Sequence, residues 1–282
     1  MVGQEANNVT QAWVVPSKGA ALELQTIVMQ DMTPTQVQVD VKFVGLCGTD
    51  LHMRDNDWGI TQYPMVMGHE GVGVVTHIGE RVNGLKVGDH IGIGWIRDSC
   101  GSCRSCMMGK DNLCEKGYQG TYLASGAGCW GKDDASMKGC FAKQMRIEEK
   151  FAFKLEESMN LERVAPLMCG GITVWEPIVD YVKPGTHVGV RSLGGLGNLK
   201  HKHKKEEQAR EWGAKHFVAT ESEEEMKSTA GSLDLILDTC LYAPENGDMS
   251  PWIDLLCFGG TYCRLGLPEV STATFNYVSL HS

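Results

Sequence analysis

Four closely spaced cysteines are the clearest chemical signal in this chain. Cys100, Cys103, Cys106 and Cys114 are separated by two, two and seven residues within a polar, glycine-rich segment. Thiolates at such short spacings can fold one loop around a tetrahedral ion. An iron–sulfur cluster also uses short Cys-x-x-Cys steps, but no proline follows the fourth cysteine here. The pattern favours a structural zinc over a cluster or a set of incidental buried cysteines.

Three further residues of metal-ligand type lie far apart in the sequence. Cys47 stands in GLCGTDLH, His69 in MGHEGVGVV and Cys169 in APLMCGGITVW. Two thiolates and one imidazole supply three ligands and leave the fourth position of a tetrahedral zinc open, as in a catalytic site. A hydroxyl group bound at that position would lose its proton more readily. Each residue alone also has an ordinary explanation, as a buried cysteine or a surface histidine.

Composition limits the classes of function. The chain has 282 residues, of which 42% are hydrophobic and 22% charged, so its length suggests about two globular domains. Its formal net charge of −9 argues against nucleic-acid binding, which needs a basic surface. The opening MVGQEANNVTQ has no apolar signal region, and no apolar run reaches the ~18 residues that span a bilayer. Eleven cysteines, an odd number, then indicate a cytoplasmic protein that uses thiolates rather than disulfides.

The elements that must position these residues change in character along the chain. The runs VQVDVKF, EGVGVVTHIG and HIGIGW are short strands, so residues 1–157 are predicted to form a β-rich domain. Residues 158–282 are predicted to form an α/β domain with a parallel sheet, because HVGV, HFVAT, LDLILDTC and GTYCRLGL alternate with charged segments. The segment Leu161–Val182 is predicted as a helix broken by Pro166 and Pro177.

A glycine-rich turn follows the HVGV strand. Residues 192–197 are SLGGLG, in which Ser192 stands where the G-x-G-x-x-G nucleotide-binding turn has its first glycine. The spacing permits a helix over residues 199–212 and a strand over residues 216–219. That helix would present lysine, histidine and glutamate where an apolar face should pack on the sheet. The sequence therefore keeps most of the turn and lacks the helix face that should support it.

The motifs taken together resemble one family. CGTDLH, GHEGVGVV, KVGDHIG, the four-cysteine loop and APLMCGGITVW occur in the order found in zinc-dependent medium-chain alcohol dehydrogenases. NDWG and GITVWEP resemble the cinnamyl alcohol dehydrogenase branch and its NADP-dependent microbial relatives. The resemblance implies a GroES-like β-barrel catalytic domain followed by an incomplete Rossmann-type domain. It also implies interconversion of primary alcohols, including aromatic or cinnamyl-type ones, and aldehydes.

The resemblance assigns roles to individual residues. It implies two zinc ions per chain, a catalytic one on Cys47, His69 and Cys169, and a structural one on Cys100, Cys103, Cys106 and Cys114. Glu70 would support the ligand His69 or serve as an alternate fourth ligand. Thr49 would take the alcohol proton through its hydroxyl, and His52 would pass that proton to solvent. Trp58 matches a position that lines the substrate pocket, although an aromatic residue packing at the barrel rim explains it equally well.

The resemblance also concerns the cofactor and the chain's assembly. It favours NADP(H) over NAD(H), with contacts from Thr173, Leu193, Gly194, Gly195, Leu196 and Gly197. Relatives carry an apolar helix and a second strand between the glycine turn and KKEEQAREWGAKHFV, and that stretch is expected to be missing here. The family's dimers form through an edge strand that would lie beyond Ser282, so a homodimer is not favoured.

Two main functions follow as hypotheses. The first is a working zinc-dependent oxidoreductase, and the second is a shortened relative that binds zinc with weak or no catalysis. A zinc hydrolase ranks last, because only Glu70 could activate water. Five cysteines match no ligand position and are predicted to be small core residues: Cys129, Cys140, Cys240, Cys257 and Cys263.

Overall fold

The computed structural model describes residues 8–122, 136–192, 202–240 and 247–266 of the chain. The protein divides into two compact units, Met1–Ile172 and Thr173–Ser282. The division falls inside a helix, 15 residues after the boundary expected from the sequence between residues 157 and 158. The predicted order, a β-rich part followed by a parallel-sheet part, is confirmed.

The first unit is built mainly from antiparallel strands. A five-stranded sheet has the order β10-β6-β5-β3-β9, a three-stranded sheet has the order β2-β1-β4, and β7 pairs with β8. The strands are β1 Val9–Val15, β2 Glu23–Val28, β3 Gln36–Val44, β4 Met65–Val66, β5 Gly71–Ile78, β6 His90–Ile93, β7 Ile96–Asp98, β8 Gln119–Gly120, β9 Gln144–Glu148 and β10 Ala152–Lys154. The helices of the first unit are α1 Gly48–Asp55, α2 Arg104–Met107 and α3 Leu161–Val164, and α4 Gly170–Tyr181 crosses the division. Three short 3-10 turns cover Asp111–Leu113, Glu149–Phe151 and Ala165–Met168.

Alternating apolar residues explain the five-stranded sheet. Val37 and Val39 of β3, Ile91 and Ile93 of β6, and Ile147 of β9 are 0% exposed and belong to one apolar cluster. Full burial of a valine or isoleucine side chain stabilises a fold by about 1.5–3 kcal/mol. These residues hold the sheet whose strand β5 begins directly after His69 and Glu70.

The second unit carries a parallel sheet of three described strands. Its order is β11-β12-β13, with β11 Val188–Arg191, β12 Leu233–Asp238 and β13 Leu256–Arg264. Its helices after α4 are α5 Lys202–Glu211, α6 Glu223–Thr229 and α7 Ser250–Ile253. At the start of α6, the Ser222 hydroxyl accepts the N–H of Glu225 at 3.3 Å, an ordinary N-cap.

Two sequence predictions for this part are wrong. Residues 216–219 form no strand, although HFVA has the composition of one. A strand needs a hydrogen-bonded neighbour, and the outer edge of β11 is not paired within the described residues. Pro177 does not break the helix, because α4 continues through it to Tyr181. Proline removes one backbone donor, and the burial of the Pro177 ring offsets that loss. The predicted interruption at Pro166 is confirmed by the 3-10 turn Ala165–Met168.

The charged helix lies within the range that the sequence permits. The sequence permitted residues 199–212, and α5 covers Lys202–Glu211. Between residues 205 and 211 only Ala209 is buried, so α5 packs through a single small side chain there. Among the described residues, no helix combines the length and the apolar character needed to cross a membrane.

Candidate active site and metal centres

Four potential ligands from three distant segments converge in the first unit. Single ligand atoms of Cys47, His69, Glu70 and Cys169 all lie within 4.8 Å of one another. The two sulfur atoms are 3.9 Å apart, although 122 residues separate Cys47 from Cys169. Cys47 immediately precedes α1, His69 and Glu70 precede β5, and Cys169 lies between a 3-10 turn and α4. The structure thus brings together the three ligands and the additional carboxylate expected from the sequence.

The histidine in this group is prepared to bind a cation. His69 is 1% exposed, and its Nδ1 lies 3.2 Å from Asp50 Oδ1 and 3.2 Å from the Tyr122 hydroxyl. Its Nε2 is buried and has no hydrogen-bond partner. A buried nitrogen without a partner costs about 1–3 kcal/mol, and a coordinated metal ion removes that cost. Two thiolates with an imidazole are the donor set of zinc, so these residues fit Zn²⁺.

Asp50 holds the ligands in place and was not singled out from the sequence. Its buried carboxylate accepts the N–H of Cys47 at 2.9 Å, the N–H of Gly68 at 3.2 Å and the hydroxyl of Tyr122 at 2.6 Å. It therefore contacts the backbone of one ligand and the side chain of another. The spacing contained a signal, since an acidic residue three positions after an N-cap can bond back to the N-cap backbone.

Charges within the cluster shift the protonation of its members. A hydrogen bond with Cys169 lowers the pKa of Cys47 to about 4, against the opposing effect of burial. Burial acts to lower the pKa of His69, but Asp50 and the negative charge of Cys47 outweigh it and raise that pKa to about 9. Burial and the charge of Cys47 raise the pKa of Glu70 to about 7. The cluster thus favours a thiolate at Cys47, and a bound cation would replace the histidine proton.

A histidine–carboxylate pair joins the last turn of α1 to the residues that follow the helix. His52 Nδ1 is 2.7 Å from Asp57 Oδ2, with side chains 16% and 23% exposed. The Trp58 ring lies 5.1 Å from the His52 ring, and Trp58 also packs on the apolar cluster that contains Met53. Thr49 occupies the first turn of α1, three residues before His52, so both side chains lie on one helix face. The sequence indicated Thr49, His52 and Trp58 but missed Asp57, which differs little from neighbouring polar residues.

An aromatic pair surrounds the ligand histidine. Trp95 meets His69 edge to face, with ring centroids 5.2 Å apart at 84°. It meets Tyr122 in the same way at 5.3 Å and 89°. Neither aromatic residue was predicted, because their approach to His69 depends on tertiary packing. They exclude water from the buried side of the imidazole.

The second group is the four-cysteine loop. Sulfur atoms of Cys100, Cys103, Cys106 and Cys114 lie within 4.8 Å of one another. The N–H of Cys103 points at Cys100 Sγ at 3.3 Å, and the N–H of Glu115 points at Cys103 Sγ at 3.4 Å. The N–H of Ser102 lowers the pKa of Cys100 to about 6, whereas burial raises that of Cys106 to about 12. Backbone donors aimed at sulfur stabilise thiolates, so this closed set fits a structural zinc.

Surface contacts tie this loop to the sheet. Asp111 accepts the Ser99 hydroxyl at 2.6 Å and the Lys150 ammonium at 2.7 Å. The loop runs between β7 and β8, which pair antiparallel. The hairpin and the carboxylate together fix both ends of the cysteine loop.

Of the residues predicted to contact the cofactor, the structure describes Thr173. Leu193, Gly194, Gly195, Leu196 and Gly197 lie outside the described residues, and Thr173 is half-buried in α4. Ser192, at the position of the first glycine, has a φ of 70°. The left-handed conformation costs a non-glycine residue roughly 1–2 kcal/mol. Serine thus adopts the backbone conformation of a glycine at that cost, and its carbonyl accepts the Thr239 hydroxyl at 2.7 Å.

The cysteines outside the two groups differ in burial. Cys140 is 1% exposed and lies in the apolar cluster of the five-stranded sheet, as predicted. The prediction is wrong for Cys240, Cys257 and Cys263, which are half-buried. Cys257 and Cys263 lie in β13 and Cys240 follows β12, in the parallel sheet, where fewer described side chains are buried. Cys129 lies outside the described residues.

Known proteins are similar to this chain in sequence and in fold. The alcohol dehydrogenase GroES-like domain family matches residues 33–157. The chain is 33% identical over 274 residues to NADP-dependent alcohol dehydrogenase C of Mycobacterium tuberculosis, covering 92% of this chain and 77% of that protein. It is 38% identical over 254 residues to mannitol dehydrogenase of Apium graveolens, covering 83% and 66%.

Solved structures agree with these relatives. A cinnamyl alcohol dehydrogenase from Sorghum bicolor superposes with a TM-score of 0.86 at 30% identity, covering 96% of this chain and 80% of that one. An enzyme of the same name from Helicobacter pylori, solved with NADP(H), gives a TM-score of 0.82 at 26% identity with the same coverage. A β-rich metal-binding unit followed by a parallel-sheet unit defines the medium-chain dehydrogenase class. The chain belongs to the zinc-dependent alcohol dehydrogenases of that class.

Proposed function

We propose that the protein is an NADP(H)-dependent oxidoreductase that interconverts primary alcohols, including aromatic or cinnamyl-type ones, and aldehydes. One observation carries this proposal. Cys47, His69 and Cys169 form a three-ligand group with an unpartnered, buried imidazole nitrogen. The helix α1 begins beside this group, and its His52 pairs with Asp57 just after the helix ends. Relatives named for NADP-dependent alcohol and cinnamyl alcohol dehydrogenases support the choice of cofactor and substrate.

In this proposal Cys47, His69 and Cys169 hold a zinc ion, and Glu70 is an alternate fourth ligand. The zinc supplies Lewis acidity toward an alcohol or aldehyde oxygen, and the nicotinamide supplies or accepts hydride. Two thiolates would neutralise the dication, so the zinc together with its three protein ligands would carry no net charge. Asp50 fixes the backbone of Cys47 and the ring of His69, which keeps the two donors in register.

The alcohol proton leaves along α1. Asp57 accepts a hydrogen bond from His52 Nδ1 at 2.7 Å, so the proton of the neutral imidazole lies on Nδ1 and His52 Nε2 can accept a hydrogen bond. Thr49, one turn earlier on the same face, has a hydroxyl that both donates and accepts. It can take the substrate proton while giving its own to His52. The partial exposure of His52 and Asp57 lets the proton pass to solvent.

Trp58 is placed to limit the substrate. Its ring lies 5.1 Å from His52 and is only partly covered by the Met53 cluster. A flat indole surface beside the relay favours an aromatic or unsaturated alcohol, because offset stacking contributes about 0.5–1.5 kcal/mol beyond area burial. This preference agrees with the aromatic substrates named in several relatives.

A second candidate function is a metal-binding relative with little turnover. The observation that favours it is α5, in which Ala209 alone is buried between residues 205 and 211. A crossover helix normally buries an apolar stripe against the sheet. A cofactor domain with so little packing would bind the dinucleotide weakly, and the two metal groups would remain.

Metal content and cofactor binding separate the two candidates. For the oxidoreductase we expect two zinc ions per chain, micromolar NADPH binding of about −8 kcal/mol in a fluorescence titration, and NADPH-dependent reduction of cinnamaldehyde or benzaldehyde. Cys47→Ser should lose one zinc and all turnover, whereas Cys257→Ser should retain both. Two zinc ions without NADPH binding would favour the second candidate. A single zinc in the unsubstituted chain would reject the catalytic site.

A further inference from the structure

Tyr122 is a buried hydroxyl directed at the ligand histidine. Its side chain is 1% exposed, donates to Asp50 Oδ1 at 2.6 Å and lies 3.2 Å from His69 Nδ1. Neither the sequence motifs nor the proton relay uses this residue. A tyrosine hydroxyl in a buried site needs both a donor and an acceptor partner, and here both partners belong to the metal site.

The donors and acceptors around His69 determine which nitrogen of its neutral imidazole carries the proton. An ionised Asp50 can accept hydrogen bonds but cannot donate one, so the single Tyr122 proton points toward the carboxylate. The hydroxyl oxygen and Asp50 Oδ1 then both face His69 Nδ1 at 3.2 Å, and both can only accept. The proton of a neutral imidazole must therefore sit on Nδ1. This leaves the Nε2 lone pair free for a metal ion.

Packing fixes the ring as well as its proton. Trp95 lies edge to face against both His69 and Tyr122. Its own Nε1 donates to the Tyr118 hydroxyl at 3.2 Å. The indole thereby separates the two rings from solvent and limits rotation of the imidazole about its Cβ–Cγ bond.

The backbone that carries Tyr122 is itself anchored. Tyr122 comes two residues after β8, whose hairpin with β7 encloses the four-cysteine loop. The N–H of Thr121 donates to Trp95 O at 2.7 Å, and its hydroxyl donates to Gly94 O at 2.6 Å. The buried Arg97 guanidinium donates to Thr121 O at 3.1 Å and to Arg146 O at 2.8 Å. Three bonds to one residue give the adjacent tyrosine a fixed position.

We propose that Tyr122 is a positioning residue for the catalytic metal, acting through Asp50 to hold His69 in the Nδ1–H form with Nε2 directed at the ion. The inference rests on the proposed function, because it requires metal at the Cys47–His69–Cys169 group. Groups that orient a ligand histidine commonly account for 10–100-fold in metal affinity. The hydroxyl of Tyr122 is therefore expected to contribute on that scale.

Cadmium-113 spectroscopy tests the proposal without catalytic turnover. Cadmium should give separate resonances for the four-cysteine loop and for the Cys47–His69–Cys169 group, because the number of sulfur ligands differs. Tyr122→Phe should move only the second resonance and weaken metal affinity there by about 10–100-fold in chelator competition. Tyr63→Phe, which removes a tyrosine hydroxyl from the same apolar cluster where it donates to Arg54 O, should stay within about twofold of the unsubstituted chain. In an Asp50→Asn background, Tyr122→Phe should change affinity by less than about twofold, because the route to His69 is already broken.

The outcomes are distinguishable. Equal affinities in Tyr122→Phe and Tyr63→Phe, or full additivity with Asp50→Asn, would overturn the positioning role. Loss of both resonances in Tyr122→Phe would also overturn it, since the hydroxyl would then support the fold as a whole. An unsubstituted chain that shows only the cysteine-loop resonance would reject the catalytic metal site, and the proposed function would fail with it.

Discussion

Gly68 offers the sharpest test of how the backbone positions the ligand histidine. It precedes His69, has a φ of 94°, and donates its N–H to Asp50 at 3.2 Å. A Cβ at this position would lie 2.6 Å from Phe141 Cδ1 and 2.9 Å from Phe141 N. The Phe141 N–H is bonded to Met67 O at 2.9 Å, so the backbone cannot move aside without losing that bond.

Gly68→Ala therefore combines two costs. A left-handed φ costs a non-glycine residue roughly 1–2 kcal/mol, and overpacking a well-packed site costs about 1–3 kcal/mol. The sum is about 3 kcal/mol. Gly88 provides a matched control, because its φ is also 94° and a Cβ there would have no heavy atom within 4 Å. Gly88→Ala should cost the conformational part alone.

Urea unfolding followed by tryptophan fluorescence measures the difference. With a urea slope of about 2 kcal/mol per molar, Gly68→Ala should lower the midpoint by about 1.5 M and Gly88→Ala by less than about 1 M. Gly68→Ala should also lower the zinc content, since His69 moves with its neighbour. Equal midpoints for the two variants would refute the reasoning, because the contact with Phe141 would then have no energetic effect.

Three further outcomes are expected. Asp57→Asn should lower the turnover of aldehyde reduction by about tenfold with little change in KM, because His52 loses the carboxylate that orients it. Asp55→Asn, at the last residue of α1, is the control, and equal losses would contradict the relay. In metal-free protein, Glu70 has a pKa raised to about 7 from 4.5, so between these values the folded state holds more protons than the unfolded state and stability falls as pH rises. Between pH 5 and pH 7.5 the urea midpoint of the metal-free protein should therefore fall more in the unsubstituted chain than in Glu70→Gln. Equal falls in the two proteins would contradict this. Cys106→Ser should remove one zinc and expose residues 99–118 to limited proteolysis, whereas a protease-resistant, two-zinc variant would exclude this group as a metal site.

Both groups of candidate metal ligands were predictable from the types of residue and from the short motifs in which they stand. The four loop cysteines lie within 15 residues, and the dispersed set stands in motifs that resemble a known family. Asp50 and Tyr122 were missed because they are joined across 72 residues by a bond that only the folded chain forms. No periodicity or composition signals such a contact.

The wrong predictions in the second unit have related causes. Residues 216–219 have strand-forming side chains, but β-structure depends on a partner strand that the described sheet does not offer them. Pro177 is a helix breaker by local rule, yet its ring is buried within α4. In both cases tertiary context outweighed the local preference, and only the three-dimensional arrangement reveals that context.

Cys47 has two roles, as a proposed metal ligand and as the N-cap residue of α1. Its N–H bonds back to Asp50 in the first turn, so the start of the helix and the metal group share one residue. Local opening of this turn must then compete with metal binding. Deuterium should therefore enter the first amides of α1 more slowly as the site fills, before exchange in the five-stranded sheet changes. The helix that carries Thr49 and His52 would in that way record metal occupancy in its own exchange kinetics.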